Sequence, residues 1–318
     1  MFLPHRARIV TPTSIVQLGY DTLPRPKPEP TTGQAWARFV LISDTHGKTF
    51  PVPDGDVLLH TGDLTRSGTL SDLRHMMAWL CALPHPIKII IAGNRDFVLD
   101  REWYDANWAQ TGRHGNEATW EPPEPVFELL TGPSAVAANI VYLQDQPHKF
   151  RARPGGREWT VYGSPRSPNV GGPVRAFAYD EADGEALMAA FPSTDILLTH
   201  CPPHNILDVT NKADRAGCSA LAARLSSLRP RLHVFGHIHE ARGAHVHLWA
   251  RGDEPSTPNN AQTSRAAGPD ELIVEEEGEQ TVFVNAANYP SGPNVPREYG
   301  QVDAGGVGFQ PIVVDLLD

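Results

Sequence analysis

Five times in this chain an apolar, strand-like run delivers a residue able to bind a metal ion. Phe39-Val40-Leu41-Ile42 leads to Asp44 and His46, and Val57-Leu58-Leu59-His60-Thr61 leads to Asp63. Ile87-Lys88-Ile89-Ile90-Ile91-Ala92 runs into Asn94, Ile196-Leu197-Leu198-Thr199 into His200, and Leu232-His233-Val234-Phe235 into His237 and His239. Side chains two apart on a strand point the same way, so Asp44 and His46 are expected to face one point just past the strand end. Open α/β sheets build their sites at the carboxyl ends of strands. The recurrence therefore restricts the chain to a sheet-centred α/β fold with its chemistry gathered along one edge.

The segments between these strands carry their own signals. Leu70, Leu73, Met77 and Leu80 recur at helical spacing after Thr69 and Ser71, either of which can cap the helix. With the strands on either side they make a βαβ unit. Residues 1–36, with prolines at 24, 26, 28 and 30, read as an extended N-terminal arm in which 9–18 could add an edge strand. Residues 37–318 read as one domain with insertions near 99–138 and 251–280. The first insertion holds Trp103, Tyr104, Trp108 and Trp120 and is expected either to overhang the site or to pack as a helix on the core. Residues 140–143 and 160–162 read as strands around a basic hairpin tip at 151–157. Helices are expected over 182–190 and 219–228, and strands over 244–249, 281–285 and 312–316. The polar stretch 251–269 reads as a loop.

Composition narrows the function classes. A chain of 318 residues with 40% hydrophobic and 20% charged residues is of the soluble globular kind. A net charge of −10, without a basic run, argues against phosphate-neutralising nucleic-acid binding and against anionic membranes. Cys81, Cys201 and Cys218 are too few and too scattered for a disulfide framework or a zinc finger, and an odd count fits a reducing compartment. No stretch approaches the length of a membrane span, so a cytoplasmic location is expected.

The ligand-type residues Asp44, His46, Asp63, Asn94, His200, His237 and His239 offer oxygen and imidazole nitrogen without thiolate. That mixture suits Mn, Fe or Zn better than Ca or Mg, and exceeds what one tetrahedral ion needs. A shared carboxylate could bridge two ions. Asp44-x-His46, Gly62-Asp63, Gly93-Asn94-x-Asp96, Thr199-His200 and Gly236-His237-x-His239, in this order, resemble the calcineurin-like metallophosphoesterases. Val161-Tyr162-Gly163-Ser164-Pro165, residues 197–203 and Gly217-Cys218 are similar to its metallophosphoesterase-domain-containing branch. The resemblance covers about 38–318. It implies a four-layer αββα sandwich of two mixed sheets flanked by helices. It implies one metal on Asp44, His46 and His239, another on Asn94, His200 and His237, and Asp63 between them. The implied reaction is hydrolysis of a small anionic phosphate ester, most simply a diester, by a metal-bridging hydroxide.

One departure from the family pattern bears on mechanism. The family's histidine after Gly-Asn, which helps protonate the leaving group, is Arg95 here. A guanidinium stays charged near neutral pH and gives up no proton, yet it can fork onto phosphate or carboxylate. His204 is a candidate substitute acid, Arg166 a candidate anion contact, and Asp96 is expected to orient the ligand loop. His233, His245, His247 and Cys201 read as packing residues. Two rival functions stay open: a metalloenzyme of this fold turned to non-phosphate chemistry, and a non-catalytic binding scaffold.

Overall fold

The computed structural model describes residues 8–29, 35–107, 124–169, 175–249, 264–268, 271–275, 278–289 and 310–318. In chain order the strands of the first sheet begin with β1 (Arg8–Val10), β2 (Ser14–Gln17), β3 (Trp36–Ile42) and β4 (Val57–Thr61). Helix α1 (Leu70–Ala82) crosses over to the parallel strand β5 (Ile87–Ile91), which is the βαβ unit read from the sequence. The Thr69 hydroxyl caps α1 by accepting the Asp72 backbone N–H at 3.1 Å. Helices α2 (Arg101–Asn107), α3 (Glu124–Thr131) and α4 (Pro133–Ala137) precede β6 (Ile140–Tyr142), which closes that side of the sheet.

The chain then builds the second sheet: β7 (Gln146–Phe150), β8 (Trp159–Ser164), β11 (Ile196–Thr199), β12 (Leu232–Phe235), β13 (Gly243–Leu248) and β16 (Gln280–Asn285). A two-stranded ribbon, β9 (Ser167–Pro168) with β10 (Ala178–Tyr179), and helices α5 (Gly184–Ala189) and α6 (Ser219–Leu228) lie between these strands in sequence. Strands β14 (Ser264–Gly268), β15 (Glu271–Val274) and β17 (Ile312–Leu317) return to the first sheet, whose order is β14-β15-β1-β2-β17-β3-β4-β5-β6.

Period-2 alternation sorts the side chains into three cores. Phe39, Leu41, Leu59 and Ile91 from the first sheet meet Trp159, Val161, Leu198 and Val234 from the second. Phe39 and Trp159 touch edge to face with ring centres 5.3 Å apart. The alternate residues Val40, Ile42, Leu58 and Ile90 face α1, α3 and α4 through Leu73, Met77, Leu130 and Ala135. Leu197, Phe235 and Phe283 face α5 and α6 through Met188, Leu221 and Leu225. The result is a four-layer αββα sandwich.

The structure differs from the sequence expectation in four places. Residues 8–17 are not a detached arm or an edge: β1 and β2 sit inside the nine-stranded sheet, β2 between β1 and β17. The short apolar stretch Ile15-Val16 pairs with β1 on one side and with the distant β17 on the other, and the second pairing is one that local pattern cannot reveal. The expected strand at 140–143 does not form the basic hairpin. Its true partner to β8 is β7, whose residues are mostly exposed and lack an apolar run. Of the two readings of the 99–138 insertion, the helical one describes what its described parts do. Trp103 and Tyr104 are buried, Trp103 stacks on Phe97 at 4.6 Å, and Trp108 and Trp120 lie outside the described residues. The 251–269 stretch contributes β14, while 251–263 lies outside the described residues. Finally, β3 ends at Ile42, so strand alternation does not aim Asp44 and His46.

Candidate metal centre

Beyond the carboxyl ends of β3, β4, β5, β11 and β12 the backbone turns sharply. Asp44, His46, Asp63 and His237 all take positive φ, at 52°, 46°, 52° and 68°. Non-glycine residues avoid this left-handed region, and where they cluster in it the strain marks functional sites. Backbone bonds hold the turns: the Asp44 N–H donates to Gly62 O at 2.9 Å and the His46 N–H to Asp63 O at 3.0 Å. Glycines allow the close approach. A Cβ on Gly236 would sit 2.1 Å from Asp44 Oδ2, and Gly62, at φ +99°, would place one 2.6 Å from His200 Nδ1.

The turns bring the seven expected residues together. Asp44, His46 and His239 offer ligand atoms all within 4.8 Å of one another, and so do Asp44, Asp63 and His200. His239 Nε2 stands 3.2 Å from Asp44 Oδ1 and 3.2 Å from His46 Nε2. On the other side Asn94 Oδ1 lies 2.9 Å from His200 Nε2 and 3.0 Å from His237 Nδ1. Asp63 faces both groups, with Oδ2 3.8 Å from His46 and Oδ1 3.4 Å from His200. The His200 Nδ1–H donates to Thr61 O at 2.8 Å, which fixes the tautomer and turns the Nε2 lone pair toward the centre.

The electrostatics suit cation binding. Burial lowers the His46 pKa, and burial with the His200 charge lowers His237 to about 4, so both rings are neutral at pH 7. Burial works against the charge of Asp44, yet the His239 hydrogen bond and the surrounding imidazoles hold its carboxyl well below the usual range. His239 is raised: burial opposes its charge, but the Asp44 carboxylate outweighs it.

Asp96 is buried and ties the ligand loops together. Its Oδ1 accepts from the Thr65 N–H at 2.8 Å and the Thr65 hydroxyl at 2.7 Å, and its Oδ2 from the Gly93 N–H at 2.8 Å. Burial and the Asp63 charge push its carboxyl up to about 7 against these donors. Arg95 sits at the rim with its side chain 41% exposed and Nε 3.9 Å from Asp63 Oδ2. Arg166 pairs with Asp145 at 2.8 Å, just after the strand end that adjoins His200. His204 stands apart from the cluster, its Nδ1 3.5 Å from the buried Asp208.

His233 is buried against the Thr199 hydroxyl, and His245 stacks on Phe283 with an interplanar angle of 12°. His247 packs against Trp249, and Cys201 lies in the outer core of the second sheet. Residues the sequence reading did not single out also shape the centre. Tyr289 places its ring 5.1 Å from His46 and 5.7 Å from His239. Asn288 braces Ser43, its Oδ1 accepting the Ser43 N–H at 3.2 Å. Both follow the apolar run Val282-Phe283-Val284, the same strand-end signal that marked the other five sites. His60 lies beneath, 3.1 Å from the Thr45 hydroxyl.

A four-layer sandwich with oxygen and imidazole donors at its strand ends defines a calcineurin-like phosphoesterase domain, and the family model of that description matches residues 37–241. The chain belongs to this family. It is 36% identical over 234 residues to human Metallophosphoesterase domain-containing protein 1, covering 70% of this chain and 66% of the relative. It is also 36% identical over 217 residues to a probable rhamnogalacturonate lyase C of Emericella nidulans, covering 67% of this chain and 18% of that one. The match thus spans just under two thirds of the human relative's length. A solved purple acid phosphatase from yellow lupin is a distant likeness, with 11% identity and a TM-score of 0.34 over 82% of this chain and 45% of that one. Among the described residues no helix is long and apolar enough to cross a membrane.

Proposed function

We propose that this chain hydrolyses a small anionic phosphate diester, with Asp44, His46 and His239 holding one divalent cation and Asn94, His200 and His237 holding a second. Asp63 is the shared ligand. The observation that carries this reading is the position of its two oxygens, one toward His46 and one toward His200. The donor set fits such ions: it is oxygen and nitrogen only, with His46 and His237 kept neutral by burial. When bound, the two cations supply Lewis acidity, which polarises phosphoryl oxygens and activates water. Manganese, iron and zinc all suit the donors, and manganese is the natural choice for assay.

The chain's own residues supply the rest. Arg95, exposed at the rim, forks onto a phosphoryl oxygen and orients the ester. Arg166, positioned by Asp145, adds a second positive charge at the mouth. Asp96 keeps the loops carrying Asp63 and Asn94 in register. In the hydrolysis a water oxygen adds to phosphorus and gives up a proton, the bond from phosphorus to the leaving oxygen breaks, and that oxygen departs as an anion or takes up a proton. Arg95 cannot give that proton, so the enzyme favours leaving groups that depart as anions, unless His204 reaches the leaving oxygen.

The test is manganese-supported hydrolysis of bis(p-nitrophenyl) phosphate, whose leaving group needs no acid. Turnover that His237→Ala abolishes is the expected result. Absence of turnover in metal-loaded protein would overturn the phosphodiesterase reading and leave a repurposed site, in which Arg95 anchors a carboxylate, or a binding scaffold.

A further inference from the structure

The loop that follows His200 borders a cavity of about 1010 Å³, walled by β10, α5, α6 and residues 215–218. We infer that this cavity receives the organic group esterified to the phosphate, an aryl- or sugar-sized substituent carrying hydrogen-bond acceptors. The inference rests on the phosphoester reading and names the part of the substrate that reading leaves open.

Location comes first. His204 lines the cavity, and only four residues separate it from His200 of the metal centre. Even fully extended, that stretch spans at most roughly 14 Å, and a turn shortens it, with the Ile206 N–H donating to Pro203 O at 3.3 Å. The loop is built rather than loose. The His204 N–H donates to Cys218 O at 3.0 Å, the Cys218 N–H to Pro202 O at 2.9 Å, and Asn205, Leu207 and Ala213 take positive φ. Size agrees as well, since pockets for small organic ligands run to about 1,000 Å³.

The chemistry of the wall selects the ligand. Met188, Ala220 and Ala223 give an apolar floor on which a ring can lie. Around it stand hydrogen-bond donors. The fully buried Asp208 accepts from Arg215 Nη1 at 2.8 Å and stands 3.5 Å from His204 Nδ1, so one carboxylate orients both basic groups. That arrangement leaves His204 Nε2 to a ligand. Arg224 also lines the cavity, held by its Nη2 donating to Phe191 O at 3.4 Å.

The experiment compares phenylphosphonate with methylphosphonate on the zinc-loaded protein, followed by NMR with 13C-labelled methionine methyls. Phenylphosphonate is expected to shift the Met188 methyl resonance and methylphosphonate to leave it in place. Ala223→Trp, an exposed position that narrows the cavity, is expected to weaken phenylphosphonate at least about tenfold while methylphosphonate stays within about twofold. Binding of both phosphonates without a Met188 shift would overturn the inference and leave the phosphoester reading standing. Failure of methylphosphonate itself to bind would overturn that reading, and the inference with it. The Met188 readout needs no variant, so it decides the matter even if Ala223→Trp does not fold.

Discussion

Arg95 meets Asp63 twice: its backbone N–H donates to Oδ1 at 2.8 Å, and its guanidinium Nε stands 3.9 Å from Oδ2. Arg95 is thus fixed to the carboxylate between the two clusters, with its fork at the rim. Arg95→His restores a proton donor at this place. General acid help is worth typically ~10²–10⁴ in rate, so hydrolysis of a diester with a poor alkoxide leaving group should rise by at least about tenfold. The rate on bis(p-nitrophenyl) phosphate should change little. Steady-state kinetics on the two substrates measures both.

Gly236→Ala tests the close packing of the turns. The new Cβ would fall 2.1 Å from both Asp44 Oδ2 and Ser43 Oγ, so Asp44 must move. Metal affinity should fall by tenfold or more, on the order of what displaced supporting groups cost metal sites. Calorimetric titration of the metal-free variant measures it, and an unchanged affinity would contradict the placement of Asp44.

Asp96→Ala should act on stability and on metal binding together. It strands the Thr65 and Gly93 backbone N–H groups, at about 1–3 kcal/mol each. Loss of the brace should also weaken metal binding about 10–100-fold. Urea unfolding of the metal-free protein reads the first effect and metal titration the second.

Much of this candidate centre was legible because each candidate ligand follows an apolar strand, and strand ends are where sheets place their sites. What the sequence could not show was how the ligands are aimed. Asp44 and His46 converge through left-handed turns past Ile42 rather than through strand alternation, and that geometry depends on bonds to residues 62–64. The place of β1 and β2 inside the sheet was hidden because their outer partners, β15 and β17, lie far along the chain, and β14, which pairs with the neighbouring β15, carries no apolar run. The edge strand β7 escaped because it is polar and mostly exposed. Tyr289 and Asn288 carried the same strand-end signal, and the reading, built on the Asp and His motifs, passed over them.

Stability of the metal-free protein should fall in mild acid through His233. Burial lowers its pKa from 6.5 to about 3, so the folded chain keeps it neutral while the unfolded chain protonates it below 6.5. Its contribution is fully present above pH 6.5 and is lost as pH falls toward about 3, at up to about 1.4 kcal/mol per pH unit. Urea unfolding at pH 7 and pH 5 should show a smaller difference in His233→Phe than in the unsubstituted chain.

The dinuclear centre itself is tested most directly by titrating manganese into metal-free protein and following unbound manganese by electron paramagnetic resonance. Two ions should bind per chain, and Asp63→Asn should remove at least one of them. Binding of one ion or none by the unsubstituted chain, or two ions held as tightly without the Asp63 carboxylate, would contradict the shared-ligand centre.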